Sequence, residues 1–372
     1  YTSFDAYYRD VDTNTVELRF VSGDQWRLFN DTTSWVIGSR VKNNKEDLLR
    51  QYTYADGDFV SQYQPITQAV YGQLESQLTN DLLLTFALRA ENYDFSYGDN
   101  AGLNGEHDST MLGGKLALSY QLGQQLVYAS VSRGYKGAGI NPDQNVSTDN
   151  RFYDEEYNWN YEIGMKGRLA DQLTSRVAFF VMKREDTQVS DYELQYRDDG
   201  SAEFIDIISN ADLGTNQGVE VELSWQATNN WNLSFSGGYL DAYFEDYTRA
   251  DGTTVTEQQQ AQAPEFTANL LSQLDINESI RWNVEVDFAD RYRFSDGHDV
   301  TAPSRTLVHT QLSWRIENWE TQLWINNAFD ETYYTRGFGG FSNDPRDFYE
   351  FDEPYYQLGN GRQTGVTVRY QF

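Results

Sequence analysis

Apolar and polar residues alternate one for one in short segments along the whole chain, and this period constrains the fold more than any other feature. Residues 365–372 (GVTVRYQF), 215–225 (TNQGVEVELSW) and 282–288 (WNVEVDF) each place apolar side chains on one face and polar ones on the other. A period of two is typical of β-strands with one apolar face. The longest apolar run, residues 177–182, is far shorter than the roughly 20 residues that a membrane helix needs.

The connections between these strands fall into two classes. Brief polar turns are expected near residues 22–25, 79–81, 123–125, 170–172, 228–230, 277–279 and 317–318. Long irregular stretches are expected at residues 43–66, 93–110, 133–155, 186–214, 243–262, 290–306 and 327–363. Short turns at one end and long loops at the other are typical of a transmembrane β-barrel, whose tilted strands cross in about 9–11 residues. We predict an all-β fold, a transmembrane antiparallel β-barrel with about 16 strands in this chain.

The tryptophan residues support this interpretation. Six of the nine lie close to a short turn: Trp26, Trp225, Trp231, Trp282, Trp314 and Trp319. Aromatic residues gathered at one end of the strands predict a girdle at a membrane interface. The alternative is that these rings simply pack at strand ends, as in any β protein.

Composition excludes several kinds of site. The net charge of −29 opposes nucleic-acid binding. With no Cys and three His, disulfides and thiolate chemistry are excluded and a His-rich metal centre is disfavoured. Residues 10–14 (DVDTN) begin like a calcium loop, but glycine at its sixth position and a carboxylate at its twelfth are missing. The pairs His107–Asp108 and His298–Asp299 could form a loose catalytic pair, although outer loops often hold such residues. We expect no catalytic residues, no resident metal and no cofactor.

The acidic residues are concentrated in the long stretches. Those seven stretches hold 34 acidic and 13 basic residues, so they carry most of the net negative charge. One hypothesis is an acidic vestibule that favours cationic or neutral ligands and disfavours polyanions. The alternative is a solvated outer surface kept soluble by its charge and bridged to lipopolysaccharide by divalent ions.

Two segments are candidates for ligand contact because they combine aromatic rings with cationic donors. Rigid rings and a few well-placed donors are good ligand contacts. The predicted ligand-binding residues are Arg133, Tyr135, Lys136, Tyr334, Arg336, Phe338, Phe341, Arg346, Tyr349 and Tyr355. Gly337, Gly339 and Gly340 would allow the last loop to move. The alternatives are that residues 327–363 fold on their own aromatic core, and that Tyr135 belongs to the interfacial girdle.

Five segments, in order along the chain, resemble the C-terminal part of TonB-dependent outer-membrane receptors. They are residues 15–20 (TVELRF), 126–142 (LVYASVSRGYKGAGINP), 161–167 (YEIGMKG), 216–223 (NQGVEVEL) and 326–334 (NNAFDETYY). The terminal Phe372 resembles the outer-membrane insertion signal of such proteins. Each segment is weak alone, and their order makes the resemblance specific.

The resemblance implies a barrel of about 22 strands with a plugged lumen. Residues 1–372 would then be the C-terminal part of that barrel, with the plug and the first strands absent from this chain. The chain could be a fragment, one half of a split receptor, or a complete 16-strand barrel like a porin.

The resemblance also implies a function, in a Gram-negative outer membrane: TonB-dependent uptake of a scarce ligand, with ferric siderophores the commonest class. The expected partners are outer-membrane lipid and lipopolysaccharide, the TonB complex through a missing plug segment, a separate chain carrying the plug, and a small-molecule ligand such as an iron chelate. Haem is disfavoured, because the region around Arg133 lacks the signature of haem receptors. Vitamin B12 or an oligosaccharide remains open, as do a passive porin-like channel and a secreted β enzyme that uses two carboxylates.

Overall fold

The computed structural model describes residues 4–53, 55, 57–143, 145–196, 202–249, 252–341 and 353–372. In this part of the chain strands dominate, and the helical elements are two single turns of 3-10 helix, Asp24–Trp26 and Thr148–Asn150. No helix found there is long and apolar enough to cross a membrane. The expectation of an all-β fold is confirmed.

The described strands, in chain order, are β1 (Asp5–Val21), β2 (Thr33–Tyr52), β3 (Phe59–Thr79), β4 (Leu82–Asp99), β5 (Asn104–Leu122), β6 (Gln125–Lys136), β7 (Gly139–Ile140), β8 (Phe152–Tyr153), β9 (Glu156–Ala170), β10 (Leu173–Tyr196), β11 (Ala202–Thr228), β12 (Trp231–Thr248), β13 (Thr254–Gln259), β14 (Phe266–Asn277), β15 (Ile280–Ala289), β16 (Tyr292–Arg293), β17 (Thr301–Ala302), β18 (Arg305–Ile316), β19 (Trp319–Asn326), β20 (Tyr334–Phe341), β21 (Glu353–Leu358) and β22 (Gln363–Tyr370).

One sheet contains 16 of these strands, the number expected from the sequence. Strands that follow one another in the chain are neighbours in it, in the order β1 to β6, β9 to β12, β14, β15, β18, β19 and β22, and β13 pairs with β12. Three two-stranded sheets, β7–β8, β16–β17 and β20–β21, are separate from it. Sequential antiparallel neighbours are what short hairpin connections produce.

The chain forms two compact units. Unit 1 comprises Tyr1–Tyr120, Ala129–Tyr161 and Arg184–Ala211. Unit 2 comprises Gln121–Tyr128, Glu162–Lys183 and Asp212–Phe372.

Six of the seven short turns are confirmed. Two-residue connections follow β3, β5, β9, β11, β14 and β18. The turn expected at residues 22–25 is wrong, because the connection runs over residues 22–32. It contains the first 3-10 helix and three residues with a left-handed backbone, Phe29, Asn30 and Asp31. The Trp35 indole donates to the Trp26 carbonyl oxygen at 2.8 Å, so this connection folds back on its own strand.

Several of the stretches expected to be irregular are instead continuations of strands. β2 runs to Tyr52 and β3 begins at Phe59, within the stretch 43–66. The β1–β2 ladder is in register from Asp5↔Tyr52 to Val21↔Val36. These stretches are polar on both faces, so they carry no apolar alternation, yet cross-strand pairing still satisfies their backbone groups. The stretches 133–155 and 290–306 are closer to expectation, because between the end of β6 at Lys136 and the start of β9, and between β15 and β18, their described residues form two-residue strands, a turn of 3-10 helix and irregular connections.

The strands of unit 2 present one apolar and one polar face. Trp282, Leu312, Leu323 and Val366 are successive partners across β15, β18, β19 and β22, so they share a face. Their side chains are exposed, Val366 to 63%. Polar residues such as Gln311, next to Leu312 along the strand, lie on the opposite face. An exposed apolar surface of this extent needs a covering of lipid or protein.

Unit 1 has the same two faces. Leu18, Val70 and Leu112 lie on one row across β1, β3 and β5 and are about as exposed as Val366, at 62%, 60% and 58%. The strand neighbours of these residues, among them Glu17 and Arg19, lie on the other face.

A row of aromatic rings lies at the short-turn end of unit 2, as the girdle hypothesis predicts. Trp225, Trp231, Trp282, Trp314 and Trp319 all lie on its apolar face and are exposed by 38–53%. The Trp319 ring packs on Tyr370 of β22, with 4.8 Å between ring centroids. The sixth residue of the prediction, Trp26, is 72% exposed in the connection after β1.

Candidate functional site

In unit 2, the β20–β21 hairpin carries five of the predicted ligand contacts, one of which, Phe341, lies at its end. Phe338 pairs with Tyr355, and Tyr334 and Arg336 lie further along the same ladder. Phe338 is 53% exposed and Tyr355 is 37% exposed. The hairpin therefore presents part of its aromatic surface to solvent.

Aromatic rings join this hairpin to the connection between β15 and β18. The rings of Tyr334 and Tyr356 lie 4.4 Å apart, and Tyr356 contacts buried Phe294 at 6.2 Å. Gly337 lies directly against the Phe294 ring, where any β-carbon would come within 2.2 Å of it. Glycine at position 337 therefore allows the hairpin to pack closely on Phe294. The role expected for Gly337 from the sequence was to let the loop move. The cluster thus combines a contact within residues 327–363, between Tyr334 and Tyr356, with Phe294 from outside them.

Two arginines lie beside this aromatic cluster and share one carboxylate. Arg293 Nη2 donates to Asp299 Oδ1 at 2.7 Å, and Arg249 Nη2 donates to the same oxygen at 3.3 Å. A second acceptor holds each guanidinium: the His298 carbonyl oxygen for Arg293, and Gln258 Oε1 for Arg249. We call Arg249 and Arg293 the arginine pair.

Burial around the arginine pair is asymmetric. Both arginine side chains are 15% exposed, whereas the Asp299 side chain is 80% exposed. In the described part of the chain, the Nε–H of each arginine is buried and has no hydrogen-bond partner. Buried donors are normally satisfied, so two unmet donors on neighbouring cations are unusual. The pair has unused capacity to bind an acceptor.

The positive charges of the arginine pair contribute to lowered pKa values at Asp299 and His298. The hydrogen bond from Arg293 lowers the pKa of Asp299, and the Arg249 interactions act in the same direction. Burial, and then the charge of Arg293, lowers the pKa of His298. At neutral pH Asp299 is therefore ionised and His298 is neutral.

In unit 1, the predicted residues Arg133 and Tyr135 lie on the same strand, β6, and contact different partners. The Arg133 guanidinium stacks on the rings of Tyr157, at 4.0 Å, and Trp159, at 5.9 Å. The Tyr135 hydroxyl accepts from Arg89 Nε at 3.0 Å and donates to Glu91 at 3.3 Å. Arg89 and Glu91 lie on the polar face of β4, so the interpretation of Tyr135 as a girdle residue is wrong.

Tyr135 belongs to a polar belt that crosses the sheet of unit 1. We use this name for Glu17, Tyr71, Arg89, Glu91 and Tyr135. Tyr71 donates to Glu17, and the Arg89 guanidinium lies 5.8 Å from the Tyr71 ring centroid. The belt therefore ties four strands together on their polar face. Lys136, the third predicted residue of this segment, is exposed at the end of β6.

Histidines and acids do not form the sites that sequence motifs suggested. His107 hydrogen-bonds Glu155 at 2.8 Å and stacks on Phe95, and its neighbour Asp108 accepts from Asn92 instead. Residues 10–14 lie inside the long strand β1, where a calcium loop could not form. Within the described ranges no group of three His, Asp or Glu side chains is arranged to hold a metal ion.

The remaining predicted residues lie at the edge of the described chain. Arg346 and Tyr349 lie outside the described residues. Phe341 lies opposite Glu353 at the end of the hairpin. Sequence reasoning missed Arg249 and Arg293, and it considered Asp299 only as a partner of His298. A signal existed, because residues 290–306 hold three basic and three acidic residues, whereas the long stretches as a whole are strongly acidic.

Comparison with known proteins places this geometry in a family context. Residues 1–328 match the family model for "TonB dependent receptor-like, beta-barrel". The chain is 30% identical over 311 residues to the ferric-pyoverdine 358 receptor of Pseudomonas putida. The aligned region covers 79% of this chain and 34% of that protein.

Solved structures share the fold. The ferric yersiniabactin uptake receptor FyuA of Yersinia pestis superimposes with a TM-score of 0.77 at 20% identity, over 100% of this chain and 55% of that one. The siderophore receptor PiuA of Acinetobacter baumannii gives a TM-score of 0.75 at 16% identity, over 97% of this chain and 56% of that one. The chain thus spans between a third and somewhat over half of the length of these relatives.

Proposed function

Because this chain belongs to the TonB-dependent receptor β-barrel family, we propose that the whole receptor imports a ferric siderophore in a TonB-dependent manner. The family consists of outer-membrane transport receptors, so the protein is a barrel of that membrane and not an enzyme. The observation that carries the proposal is the β20–β21 hairpin of unit 2, whose aromatic rings, partly exposed, contact Phe294 next to the arginine pair. Such a combination suits a bulky chelate with apolar and charged parts.

We propose that the outer loops bind the ligand and that energy passed from TonB drives its passage. The relative in Pseudomonas putida is named for ferric pyoverdine, and the structural relative in Yersinia pestis for ferric yersiniabactin. Both names support the class of a ferric siderophore for this chain. We expect the apolar face of the sheet to contact outer-membrane lipid and lipopolysaccharide.

We further propose that the plug and the remaining barrel strands lie outside residues 1–372. In the sheet of described strands β1 has one neighbour, β2, so its other edge offers unpaired backbone groups. A membrane-spanning sheet must close to satisfy such groups. The relatives are roughly two to three times as long as the matched region, which leaves room for these parts. They would belong to the same polypeptide or to a separate chain that carries the plug.

Uptake of iron-labelled chelates tests the proposal. Cells lacking the gene should lose uptake of one ferric chelate under iron limitation, and cells with the gene but without TonB should lose it equally. Uptake that needs the gene but not TonB would instead favour a passive channel, and steady conductance of the purified protein in a planar bilayer would support that alternative. Loss of growth on vitamin B12 or an oligosaccharide, with iron uptake intact, would reassign the ligand class.

A further inference from the structure

We propose that the arginine pair, Arg249 and Arg293, binds an oxyanion of the transported ligand in place of Asp299, so that the ligand is an anionic iron chelate. The inference rests on the proposed function and specifies its substrate class. A guanidinium binds anionic oxygens well, such as those of the carboxylate or catecholate groups of a chelate.

The first support is the way the two arginines are held. Acceptors other than Asp299 position both guanidinium groups, namely Gln258 Oε1 at 2.8 Å and the His298 carbonyl oxygen at 2.7 Å. Gln258 is itself buried. Both arginines would therefore stay in place when Asp299 moves, which is the preorganisation that a binding site requires.

The second support is the exposure of Asp299. Its side chain is 80% exposed, so it can turn into water without leaving a cavity behind. After that movement, two arginine side chains that are each only 15% exposed would face one vacated acceptor position. A buried cation without a partner is costly, so an incoming oxyanion would be bound strongly there.

The third support is the setting of the pair. Phe294 follows Arg293 directly, and its ring joins the Tyr356 and Tyr334 rings of the hairpin. An aromatic surface beside two cations suits a chelate whose anionic edge adjoins flat or apolar groups. Asp296, a further carboxylate of this connection, accepts a hydrogen bond from the Ala261 amide at 2.6 Å, which occupies one of its oxygens.

The numbers of acidic and basic residues in the long stretches also favour an anion site at residues 290–306, which contain Arg293. The seven long stretches carry 34 acidic and 13 basic residues, but residues 290–306 carry three of each. An anionic ligand would be repelled by most of the loop surface and accepted at the arginine pair, which would fix its orientation. The acidic vestibule hypothesis predicts the opposite preference, for cationic or neutral ligands.

Binding measurements on the full-length receptor in detergent separate these possibilities. The probes are an iron(III) tris-catecholate, which is trianionic, and a neutral iron(III) tris-hydroxamate, each at two salt concentrations. We expect the catecholate to bind more tightly, with an affinity that falls as salt rises. Arg293→Gln should weaken its binding about tenfold or more, the scale of one lost hydrogen bond to a charged group. Asp299→Asn should strengthen its binding.

The matched controls are Arg281→Gln and Asp275→Asn. Arg281 forms an ion pair with Asp275 at 2.6 Å near a short turn of the same unit, so these variants make the same charge changes away from the loops. They should leave both affinities unchanged. Retained affinity for the neutral chelate would show that the Arg293 variant is folded, and Arg249→Gln provides a second test of the pair.

Three results would overturn the inference. They are tighter binding of the neutral chelate, an equal loss of both affinities in Arg293→Gln and Arg249→Gln, and weaker catecholate binding in Asp299→Asn. If TonB-dependent uptake of a ferric chelate persists in cells while any of these holds, only the inference fails. Absence of all TonB-dependent chelate uptake would remove the proposed function as well.

Discussion

Glycines on the polar face allow aromatic rings to lie flat against the sheet. The Tyr71 ring covers Gly38, and the Tyr135 ring covers Gly113. A β-carbon at either glycine would come within 3 Å of the ring, so a larger residue would displace it. The polar belt of unit 1 therefore depends on residues with no side chain as much as on its charged members.

Gly218 and Gly238 provide a matched test of this close packing. A β-carbon on Gly218 would lie 2.1 Å from the backbone carbonyl oxygen of Tyr239, which cannot move without disturbing the β11–β12 ladder. At Gly238 the nearest atoms lie at 3.5 Å, an ordinary contact. Gly218→Ala should cost about 1–3 kcal/mol of stability, whereas Gly238→Ala should cost much less. Thermal unfolding, followed by the loss of heat-modifiable migration on gels, measures both; equal midpoints would contradict the prediction.

The lowered pKa of Asp299 predicts how the stability of residues 290–300 changes with pH. The hydrogen bond from Arg293 lowers this pKa below that of the unfolded chain. The ionised Asp299 carboxylate therefore contributes its full stabilisation above the pKa of an aspartate in the unfolded chain, near pH 4. This stabilisation is lost as the pH falls through the lower pKa that Asp299 has in the folded protein. The protection of the amides in residues 290–300, which is their exchange rate relative to the intrinsic rate at the same pH, should be steady from neutral pH to about pH 5 and should fall at lower pH. Asp299→Asn should remove that fall, and an unchanged profile would contradict the role given to Asp299.

Each strand has an apolar and a polar face, so a charged side chain should be tolerated on the polar face and should destabilise the protein on the apolar face. Leu270 and Asn269 are adjacent in β14 and point to opposite faces. Leu270 is 41% exposed among apolar neighbours, and Asn269 donates to Glu285 and Asp287. Leu270→Arg should destabilise the membrane-embedded barrel by about 2–4 kcal/mol. Asn269→Arg should be tolerated because two carboxylates lie within reach.

Urea unfolding in lipid vesicles, together with the yield of protein in the outer membrane, measures this contrast. Similar stability for the two arginine variants would mean that the apolar face does not contact lipid.

The alternation that assigns these faces is visible in the sequence. The lengths of the strands are not, because β1 to β5 extend well beyond the alternating segments through cross-strand pairing alone.

At the scale of the whole molecule, the free edge of β1 predicts a dependence on further strands. Residues 1–372 expressed alone should give little heat-modifiable protein in the outer membrane, because an unpaired edge is unfavourable in lipid. Co-expression with the remainder of the receptor should restore assembly, and the two parts should purify together. Efficient assembly of residues 1–372 alone would contradict the proposal and favour a self-sufficient barrel.

The amino-acid sequence by itself determined the local features. The period of two identifies the apolar face, the polar pairs between strands identify six of the seven short turns, and the order of the family segments identifies the receptor class. Only the tertiary structure placed Arg249 beside Arg293 and Asp299, because these residues meet across a separation of up to 50 positions. It also placed Tyr135 on the polar face with Arg89 and Glu91. The reason is that alternation and turn chemistry act between neighbours in the chain, whereas a binding cluster depends on strand register and loop packing.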